Sequence, residues 1–398
     1  MKKTSLAAIV ASTALLLTAC GGMSGESSEE SVAPVSSPDA AAASADGSAA
    51  ASGAAAAEQC TEKTPVTVVL QWVTQAQFAG YFAAKDSGYY EDECLDVTIQ
   101  EGGVNVVPQQ VLASGNADFA VSLATKSMVS REEGSDIVNI GQVFQRGSYL
   151  QIGWADSGIK TLADLKGTKV GSWGYGNELI LFAAMRANGV EPDKDAEIVQ
   201  QPFDMSLLLN REVDTAQALT YNEYAQLLET VNPDTGELYT PEDFTILNLE
   251  ELGFPSVDDG VYATAEWLAD PANEDIAVRF LKASYRGWIQ CRDDVASCVD
   301  IVLNNGSALG AGHQTWMMNE VNKLIWPSPE GIGTMPVDKF NQVMQIAVDA
   351  GVLKALPAEG AYRTDLSQKA DDELAAEGFD VTGESYEPIT VTLTEGGQ

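Results

Sequence analysis

The sequence is short of basic residues, and this shortage excludes whole classes of partner. The chain has 22 Lys and Arg against 58 Asp and Glu over 398 residues, a formal net charge of −36. Binding to nucleic acid or to an anionic membrane surface needs clustered Lys and Arg, so neither is expected. The chain is not a disordered acidic polymer, because 45% of it is hydrophobic and 7 Trp, 12 Tyr and 11 Phe can build a core.

Histidine and the common motifs of hydrolytic sites are also scarce. His313 is the single histidine, and the sequence contains no Cys-x-x-Cys pair, no GxSxG and no HExxH motif. Zinc sites and serine or metal hydrolases are built from such groups. We therefore predict no metal, no cofactor and no catalytic residue, and no enzymatic activity.

No apolar run reaches the roughly 20 residues that a membrane-spanning helix needs. The run over residues 6–17 follows two lysines and ends in Leu-Thr-Ala-Cys20. A positive start, a short apolar run and small residues before a cysteine are typical of a secretory signal with a lipoprotein cleavage box. The sequence predicts a signal peptide over 1–19, lipid on Cys20 and a place at the cell membrane on its extracytoplasmic face.

Two segments have compositions that set them apart from a globular body. Residues 21–58 contain no Lys, Arg, Leu or aromatic side chain and cannot bury a core. We interpret 20–62 as a flexible acidic tether rich in Ala, Ser and Gly. Residues 358–398 carry ten acidic and two basic side chains and are interpreted as an acidic C-terminal tail, with a strand at 389–393.

The cysteine count is even once the lipid has taken Cys20. The cysteines left in an oxidising compartment are Cys60, Cys94, Cys291 and Cys298. On one continuous helix Cys291 and Cys298 would lie about 10 Å apart, too far for a disulfide. Asp293 or Asp294 can cap a new helix between them, so two helices meeting at a corner would bring the sulfurs together. We predict Cys291–Cys298 and, by elimination, Cys60–Cys94.

Strands alternate with helices of about ten residues, a pattern typical of βαβ units and a parallel sheet. The predicted strands are 65–72, 95–99, 118–122 and 137–144, then 169–172, 196–200, 214–219 and 244–249. The late helical segments are 273–290, 295–303, 313–323 and 337–348. Because the pattern restarts, we predict one lobe from 63–156 with 257–357, a second lobe from 157–256, and a cleft between them.

Aromatic, amide and glycine-rich turns follow several of these strands, where ligands of open α/β sheets bind. The candidate ligand-binding residues are Trp72, Gln75, Phe78, Tyr81, Gly103, Asn105, Ser122, Trp173, Tyr175, Asn177, Tyr221, Asn222, Glu223 and Asp259. Trp72, Phe78 and Tyr175 are expected to stack, the amides to pair, and Glu223 or Asp259 to accept hydrogen bonds. For Trp72 or Phe78 taken singly, a core position is an equal alternative. The set suits a flat heteroaromatic ligand with ring N–H donors.

Four stretches of the chain resemble a known family. They are VVLQWVTQAQFAGYFAAKDSGYYEDECLDVTI (68–99), the Gly102-Gly103 loop, ASGNADFAVS (113–122) and VDDGVYATAEWL (257–268). They look like the solute-binding proteins of ABC importers, in the branch that shares a fold with the thiamine-pyrimidine synthases. The resemblance implies a two-lobed α/β periplasmic-binding-protein type II fold with a helical C-terminal return. It also implies a monomer that delivers its ligand to an ABC permease in the membrane.

The QWVTQAQFAGY stretch is more similar to members that bind riboflavin or a thiamine pyrimidine precursor than to binders of nitrate, sulfonate or taurine. Three alternatives stay open: a synthase, a small-anion binder and a sensor lipoprotein. The enzyme branch carries a cysteine-rich iron motif, an active-site histidine and a lysine that holds pyridoxal phosphate. This chain lacks the cysteine cluster and has His313 in its late helical region, while Lys126 is interpreted as a rim residue. Arg146 is expected either at an anionic group or in a hinge salt bridge.

Overall fold

The structure is a computed structural model that describes Cys60 and residues 62–398. The predicted signal peptide, Cys20 and nearly all of the predicted tether lie outside the described residues. The first run of elements is β1 (Thr64–Val69), α1 (Ala79–Asp86), α2 (Tyr89–Asp92), β2 (Leu95–Gln100), α3 (Pro108–Ala113), β3 (Phe119–Ser122), α4 (Ala124–Glu132) and β4 (Ile137–Gln142). The second run is β5 (Tyr149–Trp154), β6 (Lys169–Ser172), α5 (Leu179–Ala187), β7 (Glu197–Gln200), α6 (Ser206–Leu209), β8 (Thr215–Leu219), α7 (Glu223–Leu228) and β9 (Phe244–Asn248). The last run is β10 (Gly260–Thr264), α8 (Ala265–Leu268), α9 (Pro271–Asp293), α10 (Val295–Asn304), α11 (Ala311–Ile325), α12 (Val337–Asp349) and α13 (Asp365–Ala376).

The strands form two five-stranded sheets, one in each lobe. The first sheet has the order β2-β1-β3-β10-β4 and the second the order β7-β6-β8-β5-β9. Within each sheet three strands pair in parallel, as the βαβ pattern predicts. β10 lies antiparallel between β3 and β4, and β5 antiparallel between β8 and β9. Each antiparallel strand follows a crossing between lobes, where no helical crossover has to restore the parallel direction.

The first crossing between lobes lies earlier than predicted. β5 belongs to the second sheet, so the chain leaves the first lobe over 143–148 and the predicted boundary at 156 is wrong. All six residues of β5 are buried. β4 is equally buried but contains three β-branched residues, whereas the β5 sequence YLQIGW contains only Ile152 and so gives a weak strand signal. The chain returns to the first lobe over 249–259, since β10 begins at Gly260.

The predicted acidic tail is largely part of the first lobe. α13 packs on α9, and the chain before it pairs with β4: Asn139 N–H donates to Ala361 O at 3.1 Å and Arg363 N–H to Asn139 O at 2.8 Å. The expected strand at 389–393 is absent from the described chain. Ile389 instead donates its N–H to Asn319 Oδ1 at 2.9 Å, so this stretch runs along α11. The charge-rich composition of this segment therefore did not reveal that it contains a packed amphipathic helix, α13.

α1 and α9 cross in close contact at a pair of glycines. An ideal Cβ on Gly287 would lie 2.0 Å from Gly80 O, and one on Gly80 would lie 2.2 Å from the Trp288 ring. Backbones can approach this closely only where side chains are absent. The crossing buries Trp288, Tyr81 and other large side chains in the first-lobe core.

The predicted helix corner lies between α9 and α10. Asp294 ends α9, and its side chain accepts from Ser297 N–H at 3.0 Å at the start of α10. The turn brings the Cα atoms of Cys291 and Cys298 to 5.3 Å, with their sulfurs at bonding distance. Cys60 and Cys94 are also paired, with Cα atoms 5.5 Å apart. The corner between α9 and α10 thus gives Cys291 and Cys298 the approach that a bond between them requires.

Candidate functional site

A cleft lies between the lobes beyond the carboxyl ends of β1, β2, β6 and β8. Its empty volume, which includes open solvent at the mouth, is about 980 Å³. The first lobe lines it with Gln71, Trp72, Gln75, Gln77, Gly103, Val104, Val106, Val107, Pro108, Gln109, Leu123 and Lys126. The crossings and the second lobe add Ser148, Tyr149, Trp173, Tyr175, Asn177, Phe203, Leu219, Tyr221, Asn222, Glu223 and Asp258.

A row of aromatic rings crosses this cleft from one lobe to the other. The ring centroid of Trp72, in the first lobe, lies 4.5 Å from that of Phe203, in the second. Phe203 is 6.1 Å from Trp173 and nearly parallel to it, with 11° between the ring planes. Tyr149 meets Trp173 at 6.4 Å. Such a row presents the stacking faces that a planar ligand requires.

Three buried carboxyl groups lie in or directly behind the wall of the cleft. Burial raises the pKa of Glu223 to about 7, that of Asp258 to about 6 and that of Asp259 to about 7. Ser148 holds Asp258 Oδ2 through its hydroxyl at 2.8 Å and its N–H at 3.1 Å. Gln77 Nε2 donates to Asp259 Oδ2 at 2.6 Å. The carboxyl groups of the wall therefore become ionised hydrogen-bond acceptors for a ligand as pH rises through about 6 to 7.

Lys126 is the one Lys or Arg among the side chains that line the cleft. Burial lowers its pKa to about 8, while the negative charges of Glu178 and Asp259 oppose this shift. The lysine stem reaches toward the second lobe, where an ideal Cβ on Gly176 would lie 3.4 Å from Lys126 Cε. Lys126 thus lines the cleft, where the sequence analysis expected a surface or rim residue.

Most of the predicted ligand-binding residues lie in this cleft. They are Trp72, Gln75, Gly103, Trp173, Tyr175, Asn177, Tyr221, Asn222 and Glu223. Tyr175 is 68% exposed at the mouth and has φ +56° between two glycines that also have positive φ. A turn in the left-handed region holds the Tyr175 ring at the mouth of the cleft, and the two flanking glycines adopt positive φ without strain.

The structure places five other predicted residues elsewhere, and their assignment to the cleft wall is corrected. Phe78 and Tyr81 are fully buried in the first-lobe core, because the helical turn 76–78 packs on α10 and α11 and α1 packs on α9. Asn105 is exposed to solvent on the loop before α3. Ser122 and Asp259 are buried behind the wall, where Gln109 and Gln77 stand between them and the cleft.

Some lining residues were missed by the sequence analysis. Phe203 follows β7, so the strand-end rule could have found it in the Gln-Pro-Phe-Asp loop. Tyr149 begins β5, the strand that the periodicity did not reveal. Gln77 and Asp258 also line the cleft and were not among the predicted ligand-binding residues; 3% and 2% of their surfaces are exposed.

Arg146 makes hinge contacts instead of facing the cleft. Its guanidinium donates to four backbone carbonyls in the last turn of α11 and just beyond it, the shortest contact being 2.9 Å to Pro327 O. These bonds tie the first crossing to the helical return. Arg146 is therefore already occupied by protein acceptors and is not among the residues that line the cleft.

Neither a metal cluster nor a spanning helix is present in the described residues. No group of three His, Cys, Asp or Glu side chains within Cys60 and 62–398 is placed to hold a metal ion. None of the helices in this same part of the chain is both long and apolar enough to cross a membrane.

Comparison with known families now adds to this geometry. The family described as NMT1/THI5 like matches residues 75–294, more than half of the chain. The chain belongs to the NMT1/THI5-like family. The matched segment begins at Gln75 and contains all of the second lobe, so it includes most of the cleft wall.

Curated relatives of this NMT1/THI5-like protein have thiamine- and riboflavin-related names. A putative thiamine biosynthesis protein of Haemophilus influenzae is 28% identical over 192 residues, 48% of this chain and 60% of that protein. The formylaminopyrimidine-binding protein of Halalkalibacterium halodurans is 23% identical over 60% of this chain and 70% of its own length. The riboflavin-binding protein RibY of Chloroflexus aurantiacus is 25% identical over 41% of this chain and 47% of that protein. The chain thus spans less than two thirds of two of these relatives.

Solved structures confirm the predicted fold. A Bordetella bronchiseptica protein superposes with a TM-score of 0.57 at 18% identity, covering 79% of this chain and 98% of its own. The alkanesulfonate-binding protein SsuA from Xanthomonas axonopodis pv. citri, bound to MOPS, gives 0.55 at 13% identity and coverages of 76% and 99%. The aliphatic sulphonate binding protein SsuA from Escherichia coli gives 0.52 at 15%, with 85% and 96% covered. The family member described here therefore has the two-lobed periplasmic-binding-protein fold with a helical C-terminal region.

Proposed function

We propose that this chain is the substrate-binding lipoprotein of an ABC importer and captures a flat heteroaromatic vitamin or precursor, riboflavin or a thiamine pyrimidine precursor, between its lobes. The observation that carries the proposal is the aromatic row across the cleft beside buried carboxyl groups. Trp72 and Phe203 come from different lobes, so a ligand that contacts both favours the closed arrangement. Binding and release then need no chemistry on the ligand.

The polar groups of the cleft match the edge of such a ring. Ring or exocyclic N–H groups of a pyrimidine or isoalloxazine can donate to a carboxylate such as Glu223. Amide side chains at Gln75 and Asn222 can pair with ring nitrogens or carbonyls. Similarity to two relatives, a formylaminopyrimidine-binding and a riboflavin-binding protein, supports this ligand class.

A small anion such as a sulfonate or nitrate fits the cleft less well. Its wall offers Lys126 as the one cationic side chain, against the carboxyl groups of Glu223 and Asp258. Anion sites are commonly built from Arg or from several donors aimed at one point. Arg146 is bound to backbone carbonyls and cannot supply that charge without breaking hinge contacts.

A pyrimidine synthase is the rival proposal, since relatives carry that name. Lys126 in the cleft is the one observation that favours it. The described cysteines lie in two pairs at bonding distance, and none of them lines the cleft. His313 is buried between Glu229 and Asn222 instead of lining the cleft. We therefore propose a binding protein and not an enzyme.

The proposal is tested by a panel of ligands on the purified chain. Thermal shift and tryptophan quenching are measured with riboflavin, thiamine, formylaminopyrimidine, taurine and nitrate. We expect riboflavin or the pyrimidine to raise the melting temperature and the small anions to have no effect. Binding of the anions alone would overturn the proposal, and iron, pyridoxal phosphate or single-turnover formation of pyrimidine in the purified protein would establish the synthase instead.

The cellular context is proposed from the sequence. Lipid on Cys20 would hold the chain on the extracytoplasmic face through the acidic tether, within reach of the permease that receives the ligand. We expect the wild-type chain in the membrane fraction and a Cys20→Ala variant in the soluble fraction. Light scattering on the soluble variant is expected to give the mass of a monomer.

A further inference from the structure

The single histidine of the chain is buried directly behind the cleft wall. His313 is 1% exposed on α11, and its Nδ1 lies 2.8 Å and 3.1 Å from the two carboxylate oxygens of Glu229. On the other side of the ring, Nε2 lies 3.0 Å from Asn222 Oδ1. Asn222 is a residue of the cleft wall, whereas His313 and Glu229 are not. The ring thus connects a buried carboxylate to a ligand-facing amide.

The orientation of the Asn222 amide is supported by two further neighbours. Its Nδ2 donates to Glu223 Oε1 at 3.1 Å, and its Oδ1 also accepts from Gln226 Nε2 at 3.4 Å. If the Asn222 amide were turned over, its Nδ2 would face the Nε2 donor of Gln226 and its Oδ1 would face the Glu223 carboxylate. Donor would then lie against donor and acceptor against acceptor. With the amide in this orientation, both nitrogens of His313 face oxygen acceptors. A ring nitrogen that donates to an oxygen carries a proton, so this arrangement of acceptors suits a ring protonated at both nitrogens.

Charge balance and packing support a cation at this position. Glu229 is 5% exposed and lies beyond the end of α7, so the ion pair is shielded from water. The C-terminal residues close over it: Gly396 N–H donates to Glu229 O at 2.9 Å, and an ideal Cβ on Gly397 would lie 2.7 Å from His313 Cβ. A buried charge is retained only when its partner and hydrogen bonds are in place.

We propose that His313, as an imidazolium paired with Glu229, is a positioning residue that fixes the Asn222 amide and so aims Glu223 as an acceptor into the ligand cleft. The chain of contacts runs from Glu229 through His313 and Asn222 to Glu223. It rests on the proposed function only for the last step, the contact of Glu223 with ligand. The state of the ring is a property of the protein alone.

The ring state is read by nuclear magnetic resonance on protein labelled with ¹⁵N-histidine, since the chain has one histidine and hence one set of signals. In the ligand-free wild type we expect both ring nitrogens to be protonated, because both face oxygen acceptors. Detection of a neutral ring with a single N–H would overturn the proposal, whatever the protein binds.

A Glu229→Gln variant separates positioning from folding. The amide keeps an oxygen for Nδ1 but removes the negative charge, so the ring is expected to become neutral and Asn222 to turn its amide. Affinity for the heteroaromatic ligand should fall about tenfold or more, the effect of one hydrogen bond at a charged group. Thr315→Ala on the same helix, a residue with its hydroxyl bonded only to Ala311 O, is the matched control and should change neither reading.

The outcomes distinguish the two proposals. If Glu229→Gln binds ligand as the wild type does, His313 has no positioning role. If the wild type binds none of the heteroaromatic ligands, the proposed function fails, while the resonance spectrum still decides the state of the ring. Asn222→Asp should keep the doubly protonated ring but lose affinity, because its carboxylate accepts from His313 and no longer donates to Glu223. Loss of the second ring proton in that variant would contradict the contact between His313 and residue 222.

Discussion

Replacing Trp72 by alanine should weaken ligand binding strongly while leaving the fold intact. The indole is half-buried at the cleft and packs 4.5 Å from Phe203 of the other lobe. Stacking of the ligand ring on the Trp72 indole contributes about 0.5–1.5 kcal/mol beyond the apolar area that the two rings bury. If ligand and indole cover roughly 60 Å² of apolar surface, about 1.5 kcal/mol more is lost. The sum, about 2–3 kcal/mol, corresponds to a rise in Kd of about 30- to 150-fold.

Isothermal titration calorimetry is the suitable assay, because removing a tryptophan changes the fluorescence itself. Trp72→Phe keeps a stacking ring and should lose less than about tenfold in affinity. Trp267→Phe, at a half-buried tryptophan that packs on Phe119 away from the cleft, should bind as the wild type does. A Trp72→Ala variant with an unchanged melting temperature and a Kd within about twofold of the wild type would refute the stacking role of the row.

Three further predictions concern the pH dependence of ligand affinity, the pH dependence of stability and the disulfide at the helix corner. Affinity for a neutral ligand with N–H donors should rise as pH increases through about 7, where Glu223 ionises, and Glu223→Gln should flatten this profile in calorimetric titrations; an equal slope in both proteins would contradict the assignment. Asp371 is buried without a hydrogen-bond partner among the described residues, and burial raises its pKa to about 8, above the unfolded value of about 3.9. Its cost to stability should therefore grow as pH rises from about 4 to about 8, so Asp371→Asn should melt higher than the wild type at pH about 8 but not at pH about 4, and identical melting curves at both would count against it. Replacing Cys291 and Cys298 together by alanine should cost about 2 kcal/mol in chemical denaturation, whereas a wild type that shows free thiols at these positions by mass spectrometry would disprove the bond.

The fold followed from local patterns wherever these were strong. The predicted bounds of β6 coincide with the structure, and those of β8 and α9 differ from it by one to three residues. β5 was missed although the equally buried β4 was found, because YLQIGW contains a single β-branched residue where β4 contains three. α13 was missed because its acidic side chains dominate the composition, although Leu366, Ala370 and Leu374 form a buried stripe.

The site was predicted in outline. The residues wrongly assigned to the cleft wall share one cause. The rule that ligands bind beyond strand ends found Trp72, Trp173 and Tyr221, which line the cleft. The same rule cannot say which way a side chain turns after the strand, so Phe78 was assigned to the cleft although it lies in the core. The network behind the wall depends on His313, which is 91 residues from its partner Asn222 in sequence. Contacts of that range follow from the packing of lobes and not from local patterns.

The most direct test of the proposed function is a crystal structure of the complex with the heteroaromatic ligand that binds in the panel. We expect its ring to lie against Trp72 and Phe203, with a ring or exocyclic N–H within hydrogen-bond distance of Glu223. A ligand bound elsewhere, or an anion held at Lys126 with the aromatic row uncovered, would contradict the central claim that this cleft recognises a flat ring by stacking and by its N–H edge.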